Sequence, residues 1–403
     1  MAATLFLGSE KMIKYFLYGG LAAASTATLF LVTLITRLSL TPEAKAHSFN
    51  VSFRINLHLL SASWGTGHLL SQAGLSSLDT VLPKGTYPVV IAKQVWTIVN
   101  DQQGAVRVLN DPSFEAAKPL LEALKFQCHT AFTKSHTLKH FSYTDVRSAC
   151  FEAVRSTLQF PQTESDWENF ANRVCHDIVG CNSFVRVEAL LQKLLMNVQP
   201  EPFNIDLLRT APVGFVKRLL TDQACLGDTS CDLDDVAIWS WLLFHTIKDA
   251  VPFLCRVLHH YPQVLQEVHK CMQGAGHRRY ISGCVLEACR MQTPVGYVMR
   301  TASVTSKLFV PGTNVLIPLR AINNRLYKRP DEFEPTRWLN NDQHDTFLFG
   351  QGPKACPAKR ISVAVLSEVL QAVVRRWNLG TGSVYPHPYR QDVFRSDGVV
   401  AVG

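Results

Sequence analysis

The sequence lacks the features that mark several protein classes. No two of its 11 cysteines stand in CxxC spacing, which argues against a zinc ribbon or finger. Their number is odd and they are spread from Cys128 to Cys356, unlike the even set of a short disulfide-built secreted chain. They read as buried thiols in a reducing compartment, with at least one reserved for another purpose. Lys and Arg form no consecutive block, so the formal net charge of +8 does not read as a nucleic-acid surface. Dispersed positive charge better suits an anionic membrane surface or an acidic protein partner. Charged residues are scarce, 18% against the roughly 25% of an average soluble domain. There is no internal repeat and no low-complexity segment.

What is present is apolar surface. The 403 residues are 47% hydrophobic, enough for one large or two smaller cored domains. Tyr15 to Thr36 is a run of 22 residues without a charge, long enough as a helix to span roughly 30 Å of hydrocarbon. Lys11 and Lys14 flank it on one side and Arg37 on the other, a balance that fixes no orientation. It reads as an uncleaved anchor. The alternative is a signal peptide cut near Ala44-Lys45-Ala46, against which the run is long.

After a mixed stretch to about residue 90, the pattern sharpens. Val95 to Asp111 alternates and has turn residues at Asn100 to Gly104, which predicts a β-hairpin. Asp111-Pro112 predicts a helix start, because Asp caps and Pro suits the first turn. Helical spacing continues in AAKPLLEALKFQCHTAF, TDVRSACFEAVRSTL, WENFANRVCHDIVGCNSF and VEALLQKLLMNV, with Pro119 interrupting the first. Asp232 to Met272 is the longest helical tract. Its interior VAIWSWLLFHTI is apolar on nearly every face, so it predicts a buried central helix, with Pro252 marking a kink and Pro262 a break. A helix carrying Glu287 and Arg290, short strands within LFVPGTNVLIPLR, a Pro-rich loop, and a last helix from about Pro357 to Trp377 complete a mainly α layout with a minor β part.

The chemistry concentrates before that last helix, in FGQGPKACPA, Phe349 to Ala358. Two glycines allow a tight turn and close approach to a flat ligand. Cys356 at a helix N-terminus is placed where N–H groups and the helix dipole favour thiolate, a good iron ligand. A lone cysteine at a loop–helix junction is also, on its own, ordinary.

This stretch resembles the haem-binding loop of the cytochrome P450 family, F-x-x-G-x-R-x-C-x-G, with Phe349, Gly352 and Cys356 on the family's spacing. Lys354 stands where the family has a propionate-pairing Arg, and Ala358 where it has Gly. Glu287-Ala-Cys-Arg290 matches the family's E-x-x-R, two side chains on one helix face. Phe333-Glu-Pro335-Thr-Arg337-Trp338 matches the loop that supplies a third member, Arg337, to a buried ionic triad. Arg300 lies where the family often binds a propionate, though a solvated Arg reads equally well. In the segment resembling the helix with W-x-x-x-R, Leu121 takes the Trp position and Lys125 the Arg position. In the central helix, His245 stands for the family's acid and Thr246 for its alcohol. The two are equally readable as buried polar groups bonded to backbone carbonyls.

The resemblance implies a cytochrome P450 fold, with a membrane anchor over 1–37, a linker over 38–80 and a haem domain over 81–403. It implies haem b, iron protoporphyrin IX, ligated by Cys356. Phe349, Gly352, Lys354, Lys125 and Arg300 would contact it, His245 and Thr246 would relay protons, and Glu287, Arg290 and Arg337 would form the structural triad. The implied activity is monooxygenation of a lipophilic, sterol- or lipid-like substrate. Electrons would come from NADPH-P450 reductase or a ferredoxin-type donor; Lys354, Lys359, Arg360, Arg375 and Arg376 read equally as a basic docking face for it or as solvated helix charges. The implied location is the endoplasmic reticulum membrane, with the haem domain facing the cytosol. Two alternatives stay open: an isomerase or dehydratase of lipid peroxides, and a degenerate haem-binding protein. The missing distal acid motivates both, and the lost Trp and the short segments around the expected pocket motivate the second.

Overall fold

A computed structural model describes residues 33, 51–57, 82–116, 143–156, 161, 164–179, 214–215, 233–274, 276, 278–339, 347–356 and 358–377. Among them, helices dominate and one five-stranded sheet stands to the side. The sheet comprises β1 (Gly85–Ile91), β2 (Gln94–Asn100), β3 (Phe114–Ala116), β4 (Tyr297–Ala302) and β5 (Asn314–Pro318), in spatial order β1-β2-β5-β4-β3. All neighbours are antiparallel except β2 and β5, which run parallel with Thr97 opposite Val315.

The hairpin predicted around Asn100 to Gly104 lies one strand earlier. β1 and β2 pair through a turn at Ala92 and Lys93, both with positive φ. The chain then enters α1 (Gln102–Asn110). Asp101 caps it by accepting the Gly104 N–H at 2.7 Å, while Ala105, Val108 and Leu109 at helical spacing are buried under the sheet. The predicted helix start at Asp111 is also corrected. Asp111 ends α1, its N–H returning to the Arg107 carbonyl, and its carboxylate accepts the Ser113 N–H and hydroxyl in a turn that feeds β3.

The remaining helices are α2 (Tyr143–Arg155), α3 (Glu164–Val179), α4 (Leu233–His260), α5 (Pro262–Met272), α6 (Arg278–Met291), α7 (Leu319–Leu326) and α8 (Lys359–Trp377). α4 is the expected central helix. It runs through Pro252 and stops at Tyr261, where Pro262 begins α5. Its buried side chains, from Leu243 to Val257, share the largest core cluster with α2, α3, α5, α6 and α8. The sheet has its own two cores. Ile55 of the helical residues 51–57 covers one face with Trp96 and Tyr297, and α1 and α7 cover the other around Phe114 and Phe347. α8 and the sheet thus flank the loop that holds Cys356.

No described helix is long and apolar enough to cross a membrane. Of the run Tyr15 to Thr36 only Thr33, which is helical, falls among the described residues.

Candidate functional site

The loop before α8 is tied at both ends. Phe347 is fully buried and its N–H donates to Asn323 Oδ1 at 2.9 Å. Gly350 and Gly352 take φ of 68° and 70°, a left-handed conformation that side chains resist. The turn closes through Gly350 N–H to the Phe347 carbonyl at 3.0 Å and Cys356 N–H to the Phe349 carbonyl at 2.7 Å. Gly352 faces α1: a Cβ there would lie 2.2 Å from the Leu109 carbonyl oxygen. Its role is therefore close packing of the loop on α1, not contact with the cavity described below. Gly352→Ala is expected to displace the loop, leaving protein that folds but retains little haem, measured as the haem-to-protein ratio after purification. Unchanged retention would show that α1 yields instead.

Cys356 is solvent-accessible even though protein atoms crowd it. That crowding pushes its thiol up, and it outweighs the N–H groups of Ala358 and Lys359 and the Lys359 ammonium, which all lower it. The helix-terminus argument therefore has the right sign but is the smaller effect. Among the described residues the other cysteines, such as Cys284 and Cys289, are buried thiols, and desolvation pushes these two up as well, Cys289 to about 12.

Cys356 lines a cavity of about 190 Å³, with Phe349, Gly350 and Leu348 of its own loop. α4 contributes Thr246 and Ile247, β4 contributes Val298 and Arg300, and Lys354 adds a second cation. Among the described residues no Asp or Glu lines it. Burial pushes the Arg300 guanidinium down to about 10, and burial and then Arg300 lower Lys354, which Glu115 partly offsets. Arg300 donates to the Met299 carbonyl at 3.0 Å, and Lys354 Nζ donates to the Phe114 carbonyl. Two half-buried cations without an acid on the same wall are costly in isolation and suit a ligand with two carboxylates. An apolar wall, two cations and an accessible sulfur are a donor set that suits a flat, dianionic, iron-bearing group such as haem, which the cavity of about 190 Å³ would have to widen to admit. Lys354 points inward, so it does not join the exposed Lys359, Arg360, Arg375 and Arg376 on an outer face.

The expected distal pair separates. Thr246 is on the cavity wall, its hydroxyl donating to the Leu243 carbonyl at 2.9 Å. His245 is buried edge-on to Phe244, with ring centroids 5.7 Å apart, and does not line the cavity. One residue of helix rotates it by about 100°, away from Thr246. Lys125 lies outside the described residues.

Glu287, Arg290 and Arg337 come together. Arg290 forms a two-pronged bond to Glu287, both contacts 2.9 Å, and neither side chain has any exposed surface. Arg337 Nε reaches Glu287 Oε1 at 3.2 Å, and its other nitrogens donate to the Lys328 and Arg329 carbonyls. The sequence reasoning missed two more donors to Glu287: the Trp338 indole at 2.9 Å and the Glu334 N–H at 3.1 Å. Trp338 beside Arg337 was the available signal. Gly283 allows this approach, since a Cβ there would lie 2.7 Å from the Pro335 carbonyl. The triad lies outside the cavity wall and braces α6 against the loop after α7.

Comparison with known proteins places residues 247–393 in a match to the family model described as Cytochrome P450. The match begins just after Thr246 and takes in Glu287, Arg290, Arg300, Arg337, Phe349 and Cys356. "Probable cytochrome P450 28c1" of Drosophila melanogaster is 31% identical over 118 residues, 25% of this chain and 23% of the fly protein. "Cytochrome P450 85A1" of Arabidopsis thaliana is 22% identical over 280 residues, 62% of this chain and 57% of the plant protein. Over these alignments the chain spans about a quarter to three fifths of its curated relatives. The solved structure of P450BioI with a hexadec-9Z-enoic acid ligated acyl carrier protein overlays with a TM-score of 0.49 and 15% identity, over 72% of this chain and 87% of that one.

Proposed function

We propose that the chain is a haem-thiolate monooxygenase of the cytochrome P450 family, whose model its residues 247–393 match, acting on a lipophilic substrate. The observation that carries this reading is the accessible Cys356 sulfur on the same cavity wall as Arg300, Lys354 and apolar side chains. Haem b would be held by these residues: the sulfur for the iron, the two cations for the two propionates, and Ile247, Val298, Leu319 and Leu366 for the porphyrin faces. When bound, haem supplies redox and dioxygen chemistry that a thiolate ligand biases toward O–O cleavage.

The chain's own groups do the rest. The Ala358 and Lys359 N–H groups and the Lys359 charge temper the negative charge on sulfur. The Thr246 proton is held by the Leu243 carbonyl, which leaves the oxygen's lone pairs to accept from a donor in the cavity. Lys359 and Arg360 at the start of α8 and Arg375 and Arg376 at its end are exposed cations for an acidic donor, NADPH-P450 reductase or a ferredoxin. The proposed location is a membrane, held by Tyr15 to Thr36, with the haem domain on the cytosolic side of the endoplasmic reticulum.

Arg300→Met and Lys354→Met are each expected to weaken binding of iron protoporphyrin IX by at least about tenfold, the size of a lost charge-assisted bond. Both should bind the dimethyl ester of that porphyrin with nearly wild-type affinity. The monooxygenase reading is tested by NADPH consumption with added reductase, coupled to formation of oxygenated product from lipid-like candidates. Haem-loaded protein that consumes none would support the second reading, a haem-binding protein without oxygen activation. The placement of His245 away from the cavity favours that alternative.

A further inference from the structure

The ionic triad lies away from the cavity. Among the described residues no hydrogen bond joins Glu287, Arg290 or Arg337 to the loop 347–356. Its charges also do not balance. Two guanidiniums meet one buried carboxylate, since Arg290 has no exposed side-chain surface and Arg337 only 8%. Glu334 brings a second carboxylate to 3.1 Å from Arg337, but at 36% exposure it is screened by water and shared with Arg329.

Tyr327, the first residue past α7, stands against both cations. The Arg290 guanidinium carbon lies 5.3 Å over its ring centroid and that of Arg337 5.8 Å, while the Trp338 ring packs on it at 6.0 Å between centroids. The negative face of an aromatic ring attracts a cation within about 6 Å, most strongly where water is excluded. The hydroxyl takes no part, being buried without a hydrogen-bond partner among the described residues. Burial pushes it up to about 12 even with two arginines beside it, so Tyr327 is neutral and offers the ring rather than a phenolate.

α7 connects this contact to the loop. Leu319 and Ile322 bury its first turn under the sheet. Its far end is held by the ring of Tyr327 and by Arg290, which donates to Asn324 Oδ1 at 3.3 Å. Asn323, one helical turn before Tyr327 and fully buried, accepts the Phe347 N–H on Oδ1 at 2.9 Å. The Phe347 carbonyl then accepts the Gly350 N–H, and the Phe349 carbonyl the Cys356 N–H.

We propose that Tyr327 is a positioning residue for the Cys356 loop: its ring, gripped by the Arg290 and Arg337 guanidiniums, fixes the end of α7, and Asn323 passes that constraint to Phe347. A triad that touches neither the cavity nor the loop thereby governs where the sulfur stands. The inference rests on contacts within the polypeptide and holds whatever the cavity binds.

The test is amide hydrogen exchange of the full chain in detergent, read by mass spectrometry on peptides of α7, of residues 347–350 and, as a reference, of α3. Phenylalanine and its mono-, di- and trifluorinated forms replace Tyr327 in turn. Tyr327→Phe should exchange like the wild type, because the lost hydroxyl bonds nothing. Successive fluorines drain the ring face at nearly constant shape. They should speed exchange at 347–350 stepwise, to about tenfold for the trifluorinated ring, with α3 unchanged. Tyr327→Leu should do at least as much where it folds, and the fluorinated series decides the matter where it does not. Equal exchange across that series would reduce Tyr327 to packing. Acceleration shared by α3 would mean global loosening, and acceleration in α7 that stops short of 347–350 would break the path through Asn323. Each of these three results overturns the proposal.

Discussion

Cys356→Ala is expected to give a folded protein whose reduced carbonyl complex lacks the red-shifted Soret band of thiolate-ligated haem. The loop does not depend on the sulfur for its shape. Backbone bonds from Gly350, Ala355 and Cys356 close it, and Phe347 anchors it. The substitution therefore removes the ligand and leaves the cavity wall standing. Among the described residues lining the cavity, Cys289 is the other thiol, buried and pushed up to about 12 by desolvation, so it is a poor substitute. Among the described residues no histidine lines it. Circular dichroism should show helical content unchanged, while the haem spectrum shifts or disappears. A mutant that keeps the thiolate spectrum would mean that another sulfur holds the iron, and the assignment of Cys356 as the ligand would fall.

The second large effect is expected from Glu287→Ala. Glu287 receives Arg290, Arg337, the Trp338 indole and the Glu334 N–H, all within 3.2 Å. Removing it strands the Arg290 guanidinium, which has no exposed surface and whose further contacts, Asn324 Oδ1 and the Glu332 carbonyl, are neutral. Breaking a buried pair in this way costs roughly 3–5 kcal/mol. Against a typical total of about 5–15 kcal/mol, that is enough to unfold a large fraction of the protein. The expected result is insoluble or haem-free material, or a lowered urea midpoint where soluble protein is recovered. Glu287→Gln should fall between, because it keeps one acceptor oxygen and loses the charge. Wild-type stability of the Ala variant would show that the three side chains are not coupled.

How much of this was legible in the sequence depends on where the signal lay. The Cys356 loop and the triad were readable because their geometry is local or follows a helix turn: Glu287 and Arg290 are three apart on α6, and φ near 70° needs glycine at 350 and 352. The break at Pro262 follows from proline's missing donor. α1 is hidden in the sequence because Val95 to Ile98 alternates exposed and buried positions, and Gln102 to Asn110 reads as a continuation of that strand pattern. Burial of Ala105, Val108 and Leu109 at helical spacing, with the Asp101 cap, was the competing signal. β4 was not read as a strand at all, for it is stabilised by neighbours β3 and β5 that only the fold supplies. His245 was assigned by counting along α4, which cannot say which side of a packed helix meets a cavity.

The parallel seam between β2 and β5 has a further consequence, for the order in which the molecule is made. Thr97 meets Val315, 218 residues further along the chain. At about 5–20 residues per second, the ribosome delivers the second partner some 10–40 s after the first. Throughout that interval the β1–β2 hairpin leaves the tunnel with a naked flank, Trp96 and Ile98 among its apolar residues. Nascent chains halted before residue 314 should therefore be bound by chaperones and cut readily by protease, and those halted beyond the end of α8 should be released.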